Sequence, residues 1–315
     1  MPSTLLAIAL RAVRAAVTLL LCVTVVFVAL RAAGDPSEQL LPAETPPDVR
    51  AEYRAAWGLD RPIPIQYATW LARIGEGDFG RSFADGGPAF DAVVEALPRT
   101  LLLGGTALSL ALVVGLTIGV AAALRHGTAL DRGLMGVAVL GYSMPVFFLG
   151  ILFILFFVLH LRILPSSGAT TPWHLILPSV TLALPLAGRI ARFARTATLE
   201  VMGRPFVRAA RAKGLGRIAV VVRHALPNAA IPLLMFLGIE IGLTLSGAVV
   251  TETIFAWPGL GRLLVDSVAL RDLPVVQAVI LTVTAIIVAA NLAVDVLHAL
   301  VDPKVDLART LGSGR

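Results

Sequence analysis

The sequence is short of the residues from which soluble catalysts are assembled. It holds one cysteine, Cys22, inside an apolar run, which excludes an intramolecular disulfide and a cysteine-based metal site. Its five histidines, His126, His160, His174, His224 and His298, are scattered with no close pair, so a metal site within the chain is not expected. No Gly-x-x-x-x-Gly-Lys-Ser/Thr loop occurs, and ATP hydrolysis by that route is excluded. Neither Gly-x-Ser-x-Gly nor His-Glu-x-x-His is present, which leaves a membrane hydrolase without machinery. Charge is scarce too: only 15% of residues are Asp, Glu, Lys or Arg.

Apolar residues fill that space. They make up 57% of the 315 residues, and mean hydropathy is +0.86, too much apolar surface for a soluble domain of this length. The chain reads as an all-α integral membrane protein. A pI near 10.4 raises the question of nucleic acid, but the basic residues flank apolar runs and lack interleaved aromatics, so none is expected as a partner. Six runs qualify as spans: Ala15 to Leu30, Leu101 to Leu124, Met135 to Leu159, Leu175 to Ile190 with Pro178 and Pro185, Ala229 to Val250, and Val275 to Leu300. A cleaved signal peptide is the rival reading of the first run, but Arg31 sits in the region where cleavage would fall, and a signal-anchor span fits better.

Lys and Arg in the short loops set the orientation. Fifteen fall on one side, including eight between Arg192 and Arg223, against Arg162, Arg262 and Arg271 on the other. The richer side belongs in the cytoplasm, with both termini. The long segment from Ala32 to Pro98 then lies outside, carrying eleven acidic and five basic residues. Pro62, Pro64 and the glycines between Gly75 and Gly80 point to a compact folded cap there, with a docking role.

The cytoplasmic stretch from Arg192 to Asn228 holds Arg208-Ala-Ala-Arg-Ala-Lys-Gly214, nine residues, then His224-Ala-Leu-Pro227. Before Gly214 it reads as a short helix with Arg204, Arg208 and Arg211 on one face. A second short helix is expected from Arg217 to Leu226, ended by Pro227.

This stretch resembles the coupling motif of inner-membrane subunits of ABC importers: Glu-Ala-Ala, three residues, Gly, nine residues, Ile-x-Leu-Pro. Arg208 stands at the glutamate and His224 at the isoleucine, departures usual in the peptide-permease branch. Similar matches are Trp57 to Tyr67, Gly77 to Ser82, Ser143-Met-Pro145 with Phe147, Leu164-Pro165 with Gly168, Ser246 to Gly261, Arg271-Asp-Leu-Pro274, Asn291 to Asp295 and Asp302-Pro-Lys304, with His298 replacing a usual tyrosine. Together they cover most of residues 57 to 304.

The resemblance implies a permease subunit of an ATP-driven importer of the dipeptide/oligopeptide type, not itself an enzyme. It would work with a second permease, two ATPase subunits or domains that bind ATP and Mg, and an extracytoplasmic binding protein or lipoprotein. It divides the chain into 1–31, a cap at 32–98, a permease domain at 99–304 with the coupling loop at 192–228, and a tail at 305–315. It assigns ATPase coupling to Arg208, Ala209, Ala210, Lys213, Gly214, Leu215, His224, Leu226 and Pro227. Glu240, Ser246 and Glu252 are candidates for the translocation path, Glu240 equally for an internally paired structural acid. Asn291 and Asp295, four residues apart, suit interhelical hydrogen bonding, and Arg189, Arg192 and Arg195 suit snorkelling to anionic lipid headgroups. Nickel import is the runner-up within the class. Outside it stand an ion-coupled carrier using Glu240 or Asp295 as a proton site, and an accessory scaffold.

Overall fold

The computed structural model describes residues 2–32, 34, 37, 41–42, 44–214, 216–221, 223 and 226–301. Among them the regular elements are helical, and the β-type pairing is an isolated bridge between Arg81 and Pro88. The chain divides into two compact units, one of Met1–Ala7, Leu101–Trp257 and Ala289–Arg315, the other of Ile8–Thr100 and Pro258–Val288.

Among the described residues, four helices are long and apolar enough to cross a membrane: Ala89–Leu124, Pro172–Met202, Pro232–Ile254 and Leu273–Val294. A fifth span is available if Ala129–Ser143 and Val146–His160 count as one. They meet at a 98° bend, so the expected straight span from Met135 to Leu159 is broken. The cause lies at Met144-Pro145. Proline disfavours the helical region for the residue before it, and Met144 adopts extended angles (φ −84°, ψ 130°). The apolar stretch of the first helix, Ala16–Ala29, is shorter than the ~20 residues that a ~30 Å core requires.

In the second unit, α1 (Pro2–Ala32) packs Phe27, 1% exposed, against Tyr67 and Trp70 of α3 (Ile63–Gly75), with ring centroids at 5.2 and 5.5 Å. The Thr24 hydroxyl meets the Tyr67 hydroxyl at 2.6 Å. Helix α2 (Pro47–Ala56) and α3 each begin with proline in the first turn, where the missing N–H has no helical partner to lose. The expected compact cap is therefore two short helices and a turn. The first residues of α4 (Ala89–Leu124) build a core with later elements, through Ala89, Val93, Leu260, Val275 and Val279.

In the first unit, α5 (Ala129–Ser143) and α6 (Val146–Phe153), the latter continued by a π-helical turn over Ile154–His160, precede α7 (Ile176–Met202). Helix α7 is the centre of this unit. Its apolar window is 67% buried, against 25 to 39% for the other three candidate spans. Glycines let the neighbours approach. A Cβ on Gly115 of α4 would stand 2.7 Å from the Ala187 carbonyl oxygen, and one on Gly119 would overlap the Ala191 carbonyl. Gly188 of α7 lies as close to the Ala138 carbonyl of α5. Small residues four apart are a means of close helix packing where lipid supplies no hydrophobic drive. Pro178 falls in the first turn of α7 and costs no hydrogen bond, whereas Pro185 removes the bond that the Thr181 carbonyl would have accepted.

After α7 come α8 (Pro205–Ala212), α9 (Arg217–Val220) and α10 (Leu226–Ile254). They are followed by α11 (Leu260–Ala269) and α12 (Leu273–Val301). Helix α7 continues to Met202, so the expected cytoplasmic loop opens at Gly203 rather than at Arg192. Its run of small and apolar residues past Ile190 carries the helix on.

Candidate functional site

The segment after α7 is short, but it is anchored. Val207 and Ala210 of α8 and Val220 of α9 pack with Ala197 and Val201 of α7, flanked by Phe193 and Met202. Val207 and Val220 are fully buried. Proline at the start of α8 presets φ for a helix, and Gly214 takes φ +81°, a left-handed conformation that lets the chain turn from α8 towards α9. One face of α8 is thus fixed to α7, while Phe206, Ala209, Ala212 and Lys213 remain exposed.

Several expectations change at this point. Arg204 precedes α8 and pairs with Glu200 at 2.9 Å instead of joining a stripe with Arg208 and Arg211. Among the described residues the second helix is α-helical over Arg217–Val220, with π-helical residues at Val221 and Arg223. Pro227 does not end it. Proline is the second residue of α10, where the first-turn N–H groups have no intrahelical acceptor. Leu215 and His224 lie outside the described residues, as do the side chains of Arg208, Arg211, Leu226 and Asp295.

Further up α7 stand the three arginines at intervals of three, Arg189, Arg192 and Arg195. Each is taken up by a neighbouring helix. Arg189 holds Glu240 of α10 through Nε at 2.9 Å to both carboxylate oxygens and Nη2 at 2.6 Å to Oε2. Glu240 is 2% exposed, and the Arg189 guanidinium is its hydrogen-bonded counter-charge. Arg192 lies over the Tyr142 ring of α5, 5.3 Å from its centroid. Arg195 grips Asp131 at the start of α5 through Nε and Nη2, both at 2.7 Å, and Nη2 also reaches His126 Nδ1 at 3.0 Å. Asp131 further accepts the Gly127 N–H at 3.0 Å. Bidentate arginine–carboxylate pairs fix orientation as well as contact. The ladder ties α7 to α5 and α10 along the same length from which Ala197 and Val201 support α8.

Asp131 and His126 escaped the sequence reading. The available signal was Thr128-x-x-Asp131, a helix-start pattern, and the Thr128 hydroxyl does accept the Asp131 N–H at 3.3 Å. The three path candidates do not converge. At about 100° per residue they face three directions round α10. Glu240 is buried against Arg189, Ser246 is exposed and hydrogen-bonds the Gly242 carbonyl at 3.2 Å, and Glu252 is fully buried. The Glu252 carbonyl accepts the Trp257 N–H at 2.8 Å, closing the end of α10 around Ala256 at φ +46°. Asn291 is exposed.

Two strings 190 residues apart meet in the second unit. Asp272, 3% exposed, accepts the Ser82 hydroxyl at 2.5 Å and the Phe83 N–H at 3.1 Å, and Pro274 lies against Gly80. Thr100 accepts the Leu260 N–H at 2.7 Å, satisfying a donor at the start of α11.

Comparison with known proteins extends this picture. The model of the binding-protein-dependent transport system inner membrane component matches residues 115–307, and that of its N-terminal region matches residues 5–104. A probable peptide ABC transporter permease protein, y4tP of Sinorhizobium fredii, is 38% identical over 289 residues, covering 89% of this chain and 92% of its own. The glutathione transport system permease protein GsiC of Salmonella choleraesuis is 39% identical, with 91% and 94% covered. The dipeptide transport system permease protein DppB of Escherichia coli K12 is 38% identical, with 82% and 86% covered. Among solved structures, an inward-facing form of the MetNI methionine ABC transporter superposes with a TM-score of 0.58 at 21% identity, over 68% of this chain and 98% of that one.

Proposed function

The chain belongs to the family of binding-protein-dependent transport system inner membrane components, and from that membership we propose its place in a working importer. It is the permease subunit of an ABC importer for peptides, in keeping with relatives named for peptide, glutathione and dipeptide transport. With a second permease of similar fold it forms the path across the cytoplasmic membrane. Two ATPase subunits or domains bind ATP and Mg and do the hydrolysis, and an extracytoplasmic binding protein delivers the cargo. The first helix and the bent α5–α6 pair complete six spans, both termini lie in the cytoplasm, and residues 203–228 face the ATPase. Nickel or another small solute is the alternative cargo.

The observation that carries this reading is the buried cluster joining α8 and α9 to the end of α7. A coupling element transmits work only if its displacement moves the spans. A slack loop would dissipate the contact energy that distinguishes the two states of the transporter. Here the exposed face of α8 is free for a docking partner, while Val207, Ala210 and Val220 fix the opposite face to the central helix. From there the Arg189–Glu240 and Arg195–Asp131 pairs and the glycine contacts carry a displacement into α10, α5 and α4. ATP-driven closure of the ATPase pair would push on α8 and tilt α7, opening the path alternately to either side.

The test is to tag the chain, purify it from its own membranes in mild detergent and identify its companions by mass spectrometry. Two ATPase polypeptides or a fused pair, a second permease and a binding protein are expected. A chain that stays alone after crosslinking would refute the reading and leave an ion-coupled carrier, with Glu240 as its proton site.

A further inference from the structure

Residues 32–98 carry eleven acidic side chains and five arginines, yet three of those arginines, Arg61, Arg73 and Arg81, border one cleft together with Arg31. Among the described residues Asp78 is the acid in its lining, and one carboxylate oxygen of Asp78 already accepts the Gly80 N–H at 2.8 Å. Positive charge is therefore concentrated in the cleft against the net charge of the segment around it. The cleft has a volume of about 630 Å³, within the 300–1,000 Å³ range of small-molecule sites.

Three of its arginines are unspent. Among the described residues, the guanidinium groups of Arg61, Arg73 and Arg81 make no ion pair or hydrogen bond. Gln277, 7% exposed, lines the cleft without a hydrogen bond from its side chain, and Gln66 Oε1 is buried and unpartnered although Nε2 donates to the Arg61 carbonyl at 2.6 Å. A buried amide oxygen without a partner is costly unless a ligand or water completes it. The apolar walls are held in place. Trp57 stacks on Phe83 at 4.5 Å, Trp70 stacks on Phe27 at 5.5 Å, and the Phe83 N–H is fixed by Asp272.

Guanidinium forks bind carboxylates, side-chain amides bind peptide N–H and C=O groups, and indole faces cover apolar side chains. We propose that this cleft is a binding site for a short peptide with a free terminal carboxylate, separate from the path through the spans and built wholly within the second unit. The anion preference follows from the arginines; the choice of a peptide over another carboxylate rests on the proposed function. The site would hold cargo at the permease after release by the binding protein and raise its local concentration at the path.

The experiment uses the full chain in nanodiscs of phosphatidylcholine, so that no anionic headgroup competes, with trialanine and trialanine amide as probes and tryptophan quenching and calorimetry as readouts. Saturable trialanine binding is expected, weakened at least tenfold by amidation and about tenfold by either Arg61→Gln or Arg73→Gln. Both arginines are exposed, so the variants should melt like the parent. Equal affinity for the amide, indifference to both substitutions, equal displacement by inorganic phosphate, or no saturable binding would each overturn the proposal. Uptake of trialanine by the assembled importer with no binding at the cleft would sink this inference alone and leave the proposed function standing.

Discussion

Replacing Arg189 by alanine should be more damaging than replacing its partner Glu240, and the asymmetry follows from exposure. The Glu240 side chain is 3% exposed and that of Arg189 is 32%. Breaking a buried ion pair by removing one partner costs about 3–5 kcal/mol, because the remaining charge is stranded. In Arg189→Ala the stranded group is a buried carboxylate, which places the cost at the upper end of that range. In Glu240→Ala the arginine side chain, 32% exposed, can turn its guanidinium outward, so about 2–3 kcal/mol is expected. The double variant Arg189→Met with Glu240→Leu removes both charges and refills the space, and it should recover most of the loss. Melting of the detergent-solubilised protein by tryptophan fluorescence reads all three. At about 2–4 °C per kcal/mol, the Arg189 variant should melt roughly 8 °C or more below the parent. An equal or larger loss for Glu240→Ala, or a double variant whose loss is the sum of the two singles, would refute the reasoning. The same variant separates the two roles open to Glu240. If the acid only joins α7 to α10, the stable double variant still supports uptake; if it lines the path, uptake is lost while the melting point returns.

Three further outcomes are expected. Gly119→Leu drives a side chain into the Ala191 carbonyl of α7, and with backbone rather than a flexible side chain in the way, the cost should exceed the usual ~1–3 kcal/mol of overpacking and be seen as loss of folded protein on size-exclusion chromatography. Gly214→Val meets open space but must take φ +81°, so about 1–3 kcal/mol of backbone strain is expected, with ATP hydrolysis uncoupled from uptake while the protein stays inserted; normal transport would remove the loop from the account. Ala256→Gly should raise the melting point, since Ala256 holds φ +46° in the cap of α10, where glycine relieves about 0.5–1 kcal/mol of strain; an unchanged or lower value contradicts that.

Much of this architecture could be read from residue order. Long apolar runs mark α4, α7, α10 and α12 because a membrane helix must be apolar over its whole length, and the coupling segment announces itself by basic charge between two such runs. The bend at Met144 could not be seen in hydropathy, since the apolar run continues across it; only the pre-proline restriction on one residue marks it. The arginines of α7 were legible as a period of three, but their partners were not. Glu240 lies 51 residues from Arg189, and Asp131 lies 64 from Arg195. Periodicity says which way a side chain faces and nothing about which helix stands there. The same limit hid the cleft of residues 31 to 277, because net acidity in the segment masked a local gathering of arginines. The opposite case is Asp272, whose short string was recognisable in advance although its contact with Ser82 was not.

The central claim is that force enters at α8 and reaches the spans through the buried contact with α7. It is tested most directly by reconstituting the complete assembly in proteoliposomes and measuring dipeptide uptake and ATP hydrolysis together, for the parent and for Val207→Asp. A carboxylate at a fully buried position must leave the cluster or break it, so the α8 contact with α7 is lost while α7 keeps its ties to α5 and α10 and the spans remain inserted. Uptake that needs both ATP and the binding protein is expected in the parent, and in the variant hydrolysis that continues with uptake near background. Parent-like uptake by Val207→Asp, or uptake driven by a proton gradient without ATP, would contradict it.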